Sequence, residues 1–201
     1  MTTIKYLLYT VACLFILLVV ATWVFFDLPL PDYKGKVELE GLGSDVEVRF
    51  DPYGVPHIFA ENDKDLSFAQ GYITARERMF QMDMARRAGR GELSALFGEA
   101  TLQTDKFMKT VGFYRLARAE YTQISEECKD IIVAYTQGVN AYIDTVKHLP
   151  REYAVLRAEI EPWVPEDTMV CSTLTAYSLT RSKKTELLPV SYTHLTLPTN
   201  R

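Results

Sequence analysis

Cysteine is scarce in this 201-residue sequence, and the three present, Cys13, Cys128 and Cys171, form no C-x-x-C pair. That spacing excludes a thiolate metal knuckle and offers no disulfide framework. Histidine is equally sparse, and His57, His148 and His194 are too scattered to suggest a zinc set. Positive charge is not in surplus: 22 lysines and arginines face 26 acids, for a formal net charge of -4. The charge balance therefore gives no reason to expect nucleic acid, whose binding leans on Lys and Arg. The cluster Arg76, Arg78, Arg86, Arg87 and Arg90 reads instead as a helix face paired with acids. Also missing are G-x-S-x-G, H-E-x-x-H, the P-loop and G-x-G-x-x-G. Ser67, Ser94, Ser172 and Ser178 fall in helical patterns, where a hydroxyl ordinarily bonds its own backbone. Residue spacing alone thus supplies no nucleophile, no internal repeat and no low-complexity segment.

What is present begins with an apolar run. Tyr6 to Phe26 carries no charge, and as a helix its 21 residues would rise about 1.5 Å each, enough for a hydrocarbon core of about 30 Å. The run ends in bulky Trp23, Phe25 and Phe26 and then Asp27, which suits an uncleaved anchor better than a signal peptide with small residues at its cut. Cys13 sits too early in the run for a lipoprotein site and reads as a membrane-facing residue. Lys5 and the free amino terminus flank one side, so the positive-inside rule places the body outside the cytoplasm, periplasmic or extracellular. Residues 1–26 are therefore expected to be the anchor, and 27–36, with two prolines, the linker.

Beyond the linker the composition is ordinary for one globular domain. "KVELEG" and "DVEVRFDPYG" alternate apolar and polar residues, the period of half-buried strands, with "GLGS" as the turn between them; "VPHIFA" is a third short strand. From Asp63 to about Arg87 the period becomes helical, with Asn62 or Asp63 as N-cap and Gly89 or Gly91 as stop. Further helices are expected over 100–124, 126–148, 151–159 and 165 to about 180, separated by Pro150, Pro162 and Pro165. The fold class is α+β: an N-terminal transmembrane helix, a short β element, then a mainly helical portion. Two or three strands need further elements to bury both faces, so this reads as an incomplete piece of a larger fold.

One long stretch, "VEVRFDPYGVPHIFAENDKDLSFAQGYITARERMFQMDMARRAGRGELSALFG" from Val46, resembles the opening of the penicillin acylase family. The ordered matches are Asp51, Tyr53 to Ile58, Asp65, Leu66, Gly71, Tyr72, Ala75, Glu77, Arg78, Gln81, Met82, Arg86 and Arg87; "AYTQGVNAYID" from Ala134 and "LPREYAVLRAEIEPWVPEDTM" from Leu149 follow in order. These residues suit architecture better than catalysis: Gly54 and Pro56 turn the chain, Gly71 permits a close neighbour, and Glu77, Arg78, Asp83, Arg86 and Arg87 are placed for ion pairs.

The resemblance implies an N-terminal-nucleophile hydrolase of αββα fold, made as a precursor that cuts itself into an α and a β chain. The β chain's first residue would be the serine nucleophile, with its own α-amine as base. Residues 37–188 would then be most of the α chain, the remaining partners being the chain's own β chain, a small N-acyl substrate and the membrane through residues 6–26. No catalytic residue is expected here, no organic cofactor, and no turnover from this fragment alone. By the same resemblance Glu186 is expected to be an oxygen ligand of a structural calcium. Where penicillin G enzymes carry an Arg-Phe pair lining the acyl pocket, Leu179 and Thr180 stand here, which leaves the acyl group open between a penicillin side chain and a fatty acyl chain. The competing reading is a membrane-anchored, non-catalytic helical binding or scaffold protein.

The ending is of another kind. "VSYTHLTLPT", from Val190, is the one-frame translation of a common sequencing-library adaptor. Residues 189–201 are accordingly expected to be a library scar outside any fold argument, with the native reading breaking after Leu188.

Overall fold

The computed structural model of the chain describes residues 2–26, 30 and 33–180. These fall into two compact units, one of Met1–Asp83 with Glu126–Trp163, the other of Met84–Ser125 with Val164–Arg201.

The first unit begins with helix α1, Thr2–Phe26. Its segment Leu8–Phe26 is long and apolar enough to cross a membrane by length and composition, and its side chains are exposed. The hydroxyls of Thr10 and Thr22 donate to the carbonyls of Tyr6 and Val19, so neither costs the helix an unpaired polar group in an apolar surrounding.

The β element is a two-stranded antiparallel hairpin of β1, Glu47–Phe50, and β2, Pro56–Phe59. Val48 pairs with Ile58 and Phe50 with Pro56 on the half-buried face, while Glu47, Arg49, His57 and Phe59 point outward. The Asp51 carboxylate accepts the N–H groups of Tyr53 and Val55 at 2.8 and 2.9 Å, and Gly54 adopts φ +77. That turn joins β1 to β2.

The strand expected over Lys36–Gly41 does not form among the described residues. Gly41 lies at φ +109 so near the Phe68 ring that a Cβ would come within 2.9 Å, and Gly43 donates its N–H to Asp65. The end of the segment thus lies against the start of the next helix, and the turn after it is bonded there rather than to β1.

Helix α2, Asp63–Arg90, is opened by Asn62, whose side-chain oxygen accepts the Asp65 N–H at 2.9 Å. It runs through Gly89 and stops at Gly91, φ +70; Arg78 leaves helical geometry and kinks it. Its first part packs on α6, Glu126–Thr145, around buried Phe68, Ile73, Ala134, Val139 and Tyr142. Tyr72 and Tyr142 meet edge to face at 5.9 Å. Helix α7, Arg151–Leu156, is shorter than expected because Arg157 turns left-handed at φ 51 and ends it. Its Tyr153 is buried, donates to Asp83 at 3.2 Å and meets Phe80 edge-on.

In the second unit the single helix expected over 100–124 is two. Helix α3, Ser94–Phe97, precedes α4, Glu99–Val111, which ends where Gly112 adopts φ 82, ψ 35; α5, Phe113–Gln123, starts from it. A left-handed glycine stops one helix and redirects the next, and the unbroken apolar period on either side concealed it. Helix α8, Pro165–Leu179, packs on α5 around Phe113, Ala117 and Val170, with Met108, Tyr114, Met169 and Tyr177 closing the edges.

Candidate functional site

The acidic residues that the fold buries work as clamps. On α8, Asp167 is fully buried, accepts the Val164 N–H at 3.1 Å, lies 3.4 Å from Arg86 and pairs with Arg90. Arg90 in turn sits over the Tyr114 ring at 5.1 Å. Burial works against the Arg90 charge, yet Asp167 outweighs it and holds the guanidinium above its ordinary pKa. Beside them the Cys171 thiol is pushed up to about 12, first by burial and then by the Asp167 charge, so it is no nucleophile at neutral pH.

A second clamp in this unit is Asp105 of α4, which accepts the N–H groups of Leu93 and Ser94 at 3.0 and 2.6 Å. Its burial raises the carboxyl pKa, but the bonds from Ser94 and Leu93 more than offset that and hold it below the usual range.

The first unit has its own set. Asp65 accepts from Gly43 at 2.8 Å and from the Asn62 side chain at 2.7 Å, and these bonds, the Gly43 N–H foremost, hold its pKa below the usual carboxylate range. The Asn140 side chain grips the Trp163 backbone from both sides, donating to its carbonyl at 2.9 Å and accepting its N–H at 2.7 Å. Tyr33, in the segment expected to be free linker, donates to Glu77 at 2.9 Å and meets the Phe50 ring at 5.1 Å; the Arg76 guanidinium lies 4.9 Å from both rings.

Arg76, Arg86 and Arg90 of the arginine cluster are paired with acids, as the spacing suggests, whereas Arg78 bonds an amide. Glu77 pairs with Arg76 at 3.1 Å, Arg78 donates to Gln81, Asp83 accepts from Tyr153, and Arg86 and Arg90 reach Asp167 across sequence. Sequence periodicity missed Asp65, Asp105 and Asp167 as clamps; the signals that were there are Asn62 three residues before Asp65, and Pro165 at the start of α8 with Asp167 after it.

Chemistry-bearing residues fare as follows. Ser178 donates to the Thr175 carbonyl at 2.7 Å, Ser67 is buried, and Ser94 lies at the Asp105 clamp. His57 lies 3.6 Å from Asp51 on the outer hairpin face. Among the described residues no group of three or more His, Cys, Asp or Glu side chains could hold a metal ion. Glu186, expected to bind calcium, and His194 lie outside the described residues.

The place with a family-derived expectation that is described is the end of α8. Tyr177 is wedged against Phe113 at 5.0 Å and Phe107 at 6.4 Å. Thr180 donates to the Tyr177 carbonyl at 2.8 Å, and Leu179 is left 77% exposed at the tip. An aromatic-anchored last turn thus presents one aliphatic side chain outward.

Comparison with known proteins sharpens this. A family model described as penicillin amidase matches residues 45–197. The chain is 35% identical over 136 residues to penicillin acylase 2 proenzyme of Pseudomonas sp. strain SE83, covering 68% of this chain and 18% of that protein. It is 31% identical over 159 residues to acyl-homoserine lactone acylase QuiP of Pseudomonas aeruginosa, covering 79% and 19%. A solved structure, thermostable penicillin G acylase from Alcaligenes faecalis, is similar with a TM-score of 0.61 and 32% identity, over 72% of this chain and 80% of that one. The chain thus spans about a fifth of the length of these curated relatives.

Proposed function

The chain belongs to the penicillin amidase family, and on that premise we propose that it is the membrane anchor and α-chain portion of an N-acyl amide hydrolase precursor. The whole protein would cleave the acyl group from a β-lactam, an acyl-homoserine lactone or a related N-acyl compound. The observation that carries the reading is the match to the family model over residues 45–197.

In this proposal the nucleophile is the first serine of a β chain released by autocleavage. Its own α-amine, of pKa about 7.7 to 8.0, is partly neutral at working pH and removes the hydroxyl proton. Preorganised donors of that chain stabilise the tetrahedral oxyanion. This chain contributes framework: the Asp167 and Asp105 clamps fix α8 and α4, and the end of α8 brings Leu179 toward the acyl group. An aliphatic residue there adds apolar contact and no charge, which suits an acyl chain at least as well as an aromatic one. A structural calcium belongs to the same proposal, with Glu186 as a hard oxygen ligand and further oxygens from the β chain. The anchor would hold the body outside the cytoplasm.

The test is to read the coding DNA across Leu188 from an independent library, express the precursor so defined, and assay phenylacetyl and long-chain acyl amides. Turnover is expected from the processed precursor and none from the 201-residue chain. Amide hydrolysis by that chain alone would overturn the placement of the nucleophile. A reading frame that stops shortly after Leu188 would leave the non-catalytic anchored protein in its place.

A further inference from the structure

We propose that α7 seats the first unit on a lipid bilayer beside the end of α1, with the Arg151 guanidinium among the headgroups and Val155 entering the interfacial layer. This rests on α1 crossing a membrane. Close to its end the span carries Trp23, a residue type that gathers at a membrane–water boundary, and Phe26 is its last residue. The Arg151 guanidinium lies 5.2 Å from the Phe26 ring centroid, so the first residue of α7 stands at the level where the span leaves the apolar layer.

The rest of α7 is oriented by its inward contact. Tyr153 is buried, bonded to Asp83 and set edge-on against Phe80. Arg151 and Val155 lie two residues to either side, about 200° round a helix from Tyr153, and are i,i+4 neighbours of each other on the outer face. Both are exposed, and Val155 is 65% exposed, an aliphatic side chain that the unit does not use. The chain entering α7 adds exposed Lys147 and Leu149. A cation with an apolar stem beside aliphatic residues is the pattern of an interfacial contact with anionic headgroups.

The tether is short enough to enforce this seat. Tyr33 is held by Glu77, Phe50 and Arg76, and only six residues, 27–32, separate it from Phe26. At most about 25 Å of chain joins the two points. The unit is therefore clasped near the bilayer at Tyr33 and touches the span at Arg151.

The test places a photo-crosslinking residue, p-benzoylphenylalanine, at position 155, at position 17 inside the span, and at position 127 at the other end of α6. The full chain is reconstituted in vesicles of phosphatidylcholine and phosphatidylglycerol. Lipid adducts are expected at 17 and 155 and not at 127, and Arg151→Glu should lower the yield at 155. An adduct at 17 without one at 155, an equal yield at 127, or a protein adduct in place of lipid at 155 overturns the seat and leaves the anchor standing. Loss of the adduct at 17 overturns the anchor itself, and the seat with it.

Discussion

Gly71 and Gly138 mark the two sides of one helix crossing: a Cβ on Gly71 would stand 2.1 Å from the Tyr135 carbonyl oxygen, and one on Gly138 would stand 1.9 Å from that of Phe68. Backbone meets backbone on both sides, so neither helix can yield by turning a side chain. Gly71→Ala and Gly138→Ala should each cost about 3 kcal/mol in a urea unfolding series followed by circular dichroism. Gly43→Ala, whose Cβ would meet Asp65 at an ordinary 3.5 Å, should change little.

Asp167 neutralises arginines in a place water does not reach. Removing one partner of a buried charge pair leaves the other charged and poorly solvated, which makes Asp167→Ala an expected loss of about 3–5 kcal/mol. Asp167→Asn keeps the acceptor for the Val164 N–H and should fall between the two. The same unfolding series reads both.

The clamped carboxylates set an acid limit. Asp65 and Asp105 have folded pKa values held below those of the unfolded chain. Their contribution is therefore complete above the unfolded carboxylate value of about 3.9 and disappears as pH falls through the folded values. Urea midpoints should hold steady above about pH 5 and fall below about pH 4. Asp65→Asn should lower the midpoint at neutral pH and flatten this acid slope.

Thiol reactivity separates the two body cysteines. Cys128 is exposed, whereas Cys171 is partly buried with its thiol pushed up to about 12. Iodoacetamide at mildly alkaline pH should alkylate Cys128 and spare Cys171 until the chain is unfolded, as peptide mass spectrometry would read. Equal rates in the folded chain would contradict the packing of α8.

Arg157 is the one non-glycine at positive φ among the described residues. A left-handed residue with a Cβ carries a cost of about 1–2 kcal/mol. Arg157→Gly should therefore raise the thermal midpoint modestly despite the added freedom of glycine in the unfolded chain.

The sequence by itself determined the parts governed by local period and local capping. An uncharged run made α1, alternation made β1, a short apolar run made β2, and Asn62 with Gly91 bounded α2. The ordered motif also carried the family, and it marked Gly71 as a point of close approach. Tertiary structure decided what depends on a distant partner. Val37 and Leu39 have the period of a strand, but a strand exists only beside another, and Gly43 bonds to Asp65 instead. Gly112 has the composition of a helix interior around it and still breaks one helix into two, because a left-handed turn lets α5 pack on α8. Asp167 reads locally as a helix-start acid; only folding brings Arg86, 81 residues away, to its carboxylate and makes it a buried charge partner. Local patterns are written in neighbouring residues, whereas burial and pairing are properties of the surface that another part of the chain supplies.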